Sequence, residues 1–134
     1  MKICAERFIE NLKAKDLNYQ VGEAKGGDVC VDFPYKGKVT KCFFSGDNGE
    51  YLSLYLVYER VPEEKVADVL CLCNELNCQY KWVTYYIDKD NDIVLHNDAI
   101  LTADTAAEEA FELLVRLVKI AEDEKPQVMK AIYA

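Results

Sequence analysis

From Asp28 to Tyr58 apolar and polar residues alternate in three consecutive runs, and each break between runs carries a tight-turn signal. Asp28 to Pro34 puts Val29, Val31 and Phe33 on one side. Lys38 to Ser45 does the same with Val39 and Phe43, and Tyr51 to Tyr58 with Leu52, Leu54 and Leu56. A period of two is the side-chain period of a strand. Tyr35-Lys36-Gly37 fits a three-residue hairpin loop with Gly37 in the left-handed position, and Asn48-Gly49 is a strong two-residue hairpin signal. Links this short join only antiparallel neighbours. The segment therefore predicts a three-stranded meander, which limits what the rest of the chain can build.

The two turns set the register together. A two-residue Asn48-Gly49 turn pairs Phe43 with Leu54. A three-residue loop at Tyr35-Lys36-Gly37 then pairs Val29 with Phe43. In that register Val29, Val31, Phe33, Val39, Phe43, Leu54 and Leu56 share the core-facing side, whereas a two-residue Lys36-Gly37 turn would send Val29 and Val31 to the other side. Cys30 and Cys42 become cross-strand neighbours, with Cβ atoms about 4.5–5.5 Å apart.

Helices flank this meander. Ala5, Phe8, Ile9 and Leu12 form a helical stripe within Ile3 to Lys15. Leu17 to Gly22 has room for a short strand before the break at Gly26-Gly27. Pro62 starts a second helix with Glu63 and Glu64 in its first turn; Val66, Val69, Leu70 and Cys73 form its stripe. Lys81 to Asp88 and Ile93 to Leu101 make a second hairpin around Asp90-Asn91. Thr105 and Glu108 have capping-box spacing, and Ala110, Leu113, Leu114, Leu117 and Ile120 supply the stripe of the helix they open. Pro126 interrupts it, leaving Val128, Met129 and Ile132 for a short terminal helix. The order is helix, three or four strands, helix, two strands, helix: an α+β fold, an antiparallel sheet with helices on one face, in a single domain over residues 1–134.

A net charge of −8, with acids clustered at Glu63-Glu64, Glu108-Glu109 and Glu122-Asp123-Glu124, repels nucleic-acid phosphates and anionic lipid. No apolar run approaches the ~20 residues that span a bilayer. Met1-Lys2-Ile3-Cys4-Ala5-Glu6-Arg7 carries charges where a signal peptide needs an apolar stretch. The expectation is a cytoplasmic chain with neither nucleic acid nor membrane as partner. Its six cysteines, Cys4, Cys30, Cys42, Cys71, Cys73 and Cys78, are then reduced thiols.

No residue pattern assembles a catalytic, cofactor or metal site. Cys71 and Cys73 on one helix point about 200° apart, against the convergence that zinc requires. The single His96 has no second histidine near it. Asp88-Lys89-Asp90-Asn91-Asp92 resembles the start of a calcium loop, but Ile93 stands at its sixth position and Ala99 at its twelfth, where Gly and Glu belong. A nucleophilic cysteine needs a base or a helix N-terminus, and Cys71 and Cys73 lie towards a helix C-terminus. Asn74 and Asn77 suit helix C-capping, with ligand contact as the alternative.

Val61-Pro62-Glu63-Glu64 opens the middle helix and Asn74-Glu75-Leu76-Asn77 closes it. Tyr85-Tyr86-Ile87-Asp88-Lys89-Asp90-Asn91-Asp92-Ile93-Val94-Leu95 forms a turn-centred hairpin, and Thr105 opens the final helix. With these features the chain resembles the YbjN-like family of bacterial sensory transduction regulators over about Leu17 to Ile120, and its element order resembles the type III secretion chaperone-like fold. Asn91 replaces the usual glycine of the hairpin and can still reach the left-handed region. The family has no established catalytic residues, so the resemblance implies none here. The fold includes chaperones that bind partner proteins, often as homodimers, so it implies protein binding.

The expectation is thus a non-enzymatic regulatory or chaperone-like module for a protein partner of unknown identity, with a homodimer as one form such binding could take. The alternatives are a small thiol-dependent enzyme or redox sensor using Cys78 or Cys30 with His96, or a domain binding a small ligand between helix and sheet. In the register above the sheet's other face carries Cys42, Phe44, Tyr51, Tyr55 and Val57, interrupted by Thr40 and Ser53. Phe44, Tyr51, Tyr55 and Val57 are the candidate interaction surface. The terminal segment around Val128 and Ile132 is the competing cover for that face.

Overall fold

The alternating segment forms three consecutive antiparallel strands, and the helical stripes form helices beside them. The computed structural model describes residues 1–23 and 25–134. The elements are α1 (Ile3–Ala14), β1 (Gln20–Glu23), β2 (Val29–Tyr35), β3 (Lys38–Ser45), β4 (Tyr51–Arg60), α2 (Val66–Gln79), β5 (Thr84–Ile87), β6 (Asp92–Ile100), α3 (Ala106–Asp123) and α4 (Lys125–Tyr133). The strands make one sheet in the order β1-β2-β3-β4-β6-β5, every neighbouring pair antiparallel. Since β4 and β5 both run against β6, they are parallel to each other, and α2 is the crossover such a pair requires.

The apolar stripes pack on one face of this sheet, except that Leu70, expected in the stripe of α2, is half exposed and Leu76 is buried in that helix. Phe8 and Leu12 of α1, Val69 and Leu76 of α2, Leu114 and Leu117 of α3 and Ile132 of α4 are buried against Val31, Phe44, Leu54, Leu95 and Tyr85. Fully buried Ala106 and Ala110 bring α3 close to α1. Across that contact Arg7 Nη1 donates to the carbonyl of Ala103 and Asn11 Nδ2 to that of Ala107, at 2.5 and 3.3 Å. The C-terminal segment joins this layer, with Val128 and Ile132 buried, so it does not cover the other face.

One strand of the meander is turned over relative to expectation. Val29 pairs with Phe44, Cys30 with Phe43, Val31 with Cys42 and Tyr35 with Lys38. The first turn is therefore the two-residue Lys36-Gly37 form, with both residues at positive φ, 50° and 80°, as a type I′ turn requires. The second link is also shifted: Ser45 pairs with Tyr51, leaving five residues, Gly46 to Glu50, in the loop. The two one-residue errors cancel between β2 and β4, whose core faces are as expected, and fall entirely on β3. Phe44 and Cys42 point into the core, Phe43 points away from it, and Cys30 and Cys42 lie on opposite faces rather than as partners. Residue parity held the clue. Lys41 shares a face with Val39 and Phe43, so the expected register would have buried an ammonium group, at a cost far above the gain from one phenyl ring. Lys41 is exposed and pairs with Asp32 at 3.2 Å.

The longer loop has a packing role. The amide of Cys4 donates to the carbonyl of Asn48, and Leu101 to that of Glu50. Gly49 is buried with φ 72°, and a Cβ there would sit 3.0 Å from that of Lys2. The loop thus seats the start of α1 and the end of β6.

Two smaller expectations also change. Thr105 makes no side-chain cap to its helix backbone; its hydroxyl bonds the Glu109 carboxylate at 2.8 Å, one position beyond the capping-box partner. Asn77 does not cap α2, which continues to Gln79. Its Oδ1 accepts from the amide of Tyr85 at 2.7 Å, and its Nδ2 donates to the Tyr85 carbonyl at 2.9 Å. The side-chain amide acts as a strand-like partner for the outer edge of β5. Asn91, at φ 62°, takes the left-handed position of the acidic hairpin as expected, with Asp88 Oδ1 accepting from the amides of Asp90 and Asp92.

The register predicts an asymmetry between neighbours. Phe44→Ala should cost about 3–5 kcal/mol, the range for deleting a buried aromatic ring, and Phe43→Ala well under half of that. Urea unfolding of the two variants measures both; equal losses would contradict the register.

Candidate interaction surface

The face of the sheet away from the helices is built in rows set by the pairing. Cys30, Phe43, Ser53 and Asp98 form one row across β2, β3, β4 and β6. Asp32, Lys41, Tyr55, His96 and Thr84 form the next, reaching β5. Val57, Val94 and Tyr86 follow on one side, and Tyr51 with Ile100 on the other.

Aromatic rings interlock at its centre. Tyr55 stacks on His96 with centroids 4.5 Å apart and planes 2° from parallel. Phe43 meets Tyr55 edge-on at 5.9 Å, and Tyr86 meets His96 edge-on at 6.3 Å. On this face Val94 is buried, and Tyr51, Val57 and Ile100 are more than half exposed, at 52, 55 and 77%. No described helix or strand lies over this side. An antiparallel sheet that faces solvent normally carries polar residues there. Exposed aromatics and aliphatics on such a face make it the candidate interaction surface.

Of the four residues expected here, Tyr51, Tyr55 and Val57 occupy this face. Phe44 is fully buried under α1, 5.4 Å from the Phe8 ring, and Phe43 stands in its place. His96 and Tyr86 complete the cluster. Their strands were recognised, but pairing β6 beside β4 depends on a crossover that local patterns do not encode.

Ser53, His96 and Asp98 also meet here, in an order that does not make a nucleophile. Asp98 Oδ1 accepts from the Ser53 hydroxyl at 2.7 Å and faces His96 Nε2 at 2.8 Å. A serine nucleophile must give its proton to the imidazole, and here its hydroxyl bonds the carboxylate. Burial opposes ionisation of Asp98, but the hydrogen bonds from Ser53 and His96 outweigh it and hold the carboxyl below its ordinary range.

The thiols are dispersed. Cys4, Cys30, Cys42 and Cys73 are buried, and Cys71 and Cys78 are exposed on α2. Burial, with a hydrogen bond to Asp32 at 3.3 Å, pushes the Cys30 thiol up to about 11. Burial pushes Cys73 up to about 11 as well, and Cys42 further. A thiol so shifted is almost wholly protonated near neutral pH and a poor nucleophile. The imidazole of His96 is engaged with Tyr55 and Asp98. Among the described residues no three His, Cys, Asp or Glu side chains converge as a metal site, and no helix is long and apolar enough to cross a membrane.

Comparison with known proteins places the family and the fold. The family model for YbjN, described as "Putative bacterial sensory transduction regulator", matches residues 5–124. No curated protein matches the sequence. Among solved structures the chain is similar to the Yersinia pestis type III secretion chaperone SycH, crystallised in complex with a stable fragment of YscM2. The TM-score is 0.56 at 15% identity, over 90% of this chain and 98% of that one. The shared α+β architecture is that of the type III secretion chaperones.

Accessibility and ionisation together predict thiol behaviour. In the native chain at pH 8, Ellman's reagent should modify Cys71 and Cys78 rapidly and the other four slowly, with all six reacting in guanidinium. Fast modification of Cys30 would contradict the buried, hydrogen-bonded site.

Proposed function

The chain belongs to the YbjN family, and from that premise we propose that it is a non-enzymatic, cytoplasmic regulatory or chaperone-like module that binds a partner protein through the open face of its sheet. The observation that carries this reading is the aromatic cluster of Phe43, Tyr55, His96 and Tyr86 with its exposed rim of Tyr51, Val57 and Ile100. Rings held against one another lose little freedom when a partner covers them, so the apolar area they present is converted efficiently into affinity. The fold supports the same reading, because SycH was crystallised with a protein fragment bound. The net charge of −8 favours a different protein over a second copy: two such chains repel at long range, whereas a less acidic partner is not opposed.

Substitution within the cluster tests this. Tyr55→Lys places an ammonium group among the rings without touching the core. Native-cell pull-down with wild type, Tyr55→Lys and the remote hairpin-tip variant Lys89→Glu should show a partner kept by wild type and Lys89→Glu and reduced at least tenfold by Tyr55→Lys. Circular dichroism should be the same for all three. Light scattering on the isolated chain should report a monomer; a dimer dissociated by Tyr55→Lys would reassign the face to self-association. A partner set indifferent to Tyr55→Lys would remove this face from the function.

A further inference from the structure

The helical layer does not cover all of the sheet's core side. Beyond the ends of α3 and α4, a cleft of about 400 Å³ opens over β3 and β4, inside the roughly 300–1,000 Å³ range of small-molecule sites. Its floor is apolar and buried: Leu56, the ring of Tyr58, and Ala121. Tyr58 donates from its hydroxyl to the carbonyl of Ala121 at 3.3 Å, tying the end of α3 to β4 and fixing the back wall. Thr40, 2% exposed, adds a hydroxyl to this floor in a strand whose other core-facing residues are Cys42 and Phe44.

The mouth has the opposite character. Lys36, Lys38 and Lys125 line it against the single carboxylate of Glu122. Lys36 pairs with Glu122 across the opening at 2.5 Å, and Lys38 pairs with Glu59 and the carbonyl of Tyr58. No ion pair engages Lys125 among the described residues. On a chain with a net charge of −8 this is a local reversal of sign. Cationic groups at the rim of a low-dielectric pocket attract an anion more strongly than the same groups spread over a surface.

We propose that this cleft binds a small anionic amphiphile, with its apolar body over Leu56, Val118 and Ala121 and its anionic head beside Lys125 at the mouth. The anion fits better than a cation because the carboxylates at the site are already paired with Lys36 and Lys38, leaving Lys125 as the unengaged charge. The cleft lies on the opposite side of the sheet from the aromatic face, so this site stands or falls apart from the protein-binding reading.

Decanoate is the probe, titrated below its micelle-forming concentration into the isotope-labelled full chain and followed by amide shifts. Saturable shifts centred on Thr40, Leu56 and Ala121 are expected. Lys125→Glu should weaken binding about tenfold, the size expected for reversing one charge at the rim. Val118→Phe, which fills the cleft from a half-buried position, should weaken it more, with circular dichroism confirming that both variants fold. Decylamine should not produce the same shifts. Equal binding of decylamine, shifts centred on Phe43 and Tyr55, or indifference to both substitutions would each overturn the proposal. So would binding to phosphatidylglycerol vesicles without binding of free decanoate, which would assign the lysines to a membrane surface.

Discussion

The four helices pack on a single face of a six-stranded sheet, and the rest of the molecule follows from that asymmetry. One side of every strand must be apolar to receive Phe8, Leu12, Leu114 and Ile132. The other side is released from that demand and free to carry a different chemistry. The crossover through α2 enforces the arrangement, because a parallel pair separated by one antiparallel strand can be linked only by a segment that climbs over a face. With α2 on the same side as α1 and α3, no described segment remains to cover the aromatic side.

Sequence reasoning recovered the faces of β2 and β4 and lost that of β3, and the difference is physical. In β2 and β4 the apolar residues of the core side form unbroken alternating series, Val29-Val31-Phe33 and Leu52-Leu54-Leu56, against Asp32 and Ser53 on the other side. In β3 the pair Phe43-Phe44 offers a ring to each side, and a strand with two plausible faces takes its register from its turns. Each turn shifts the register by one residue from expectation, the first by a loop of two residues in place of three, the second by a loop of five in place of two. Lys36 accepts a left-handed conformation that favours Gly, Asn or Asp, and Asn48-Gly49 belongs to a wider loop that seats α1. The charge of Lys41 was the local information that could have decided between the registers.

The sequence shows that one sheet face goes uncovered, but not all the residues that meet on it. An uncovered face follows from counting helices against sheet area, and the alternation of β4 puts Tyr51, Tyr55 and Val57 on it. His96 and Tyr86 depend on β6 lying beside β4, a contact between residues some forty positions apart. The role of Asn77 was equally hidden. Its identity suggested a helix cap, but its neighbours in space are the backbone groups of Tyr85, which a helix-end motif does not reveal.

That amide has a consequence for how the protein can assemble. Edge strands with free amides and carbonyls are templates for further strands, and a sheet with two such edges can grow head to tail into an open fibre. Here the middle of one edge is occupied by a side chain that already satisfies both backbone groups of Tyr85. A strand approaching that edge would meet no free amide or carbonyl at Tyr85, so strand addition is opposed there while both faces of the sheet are left free for other work.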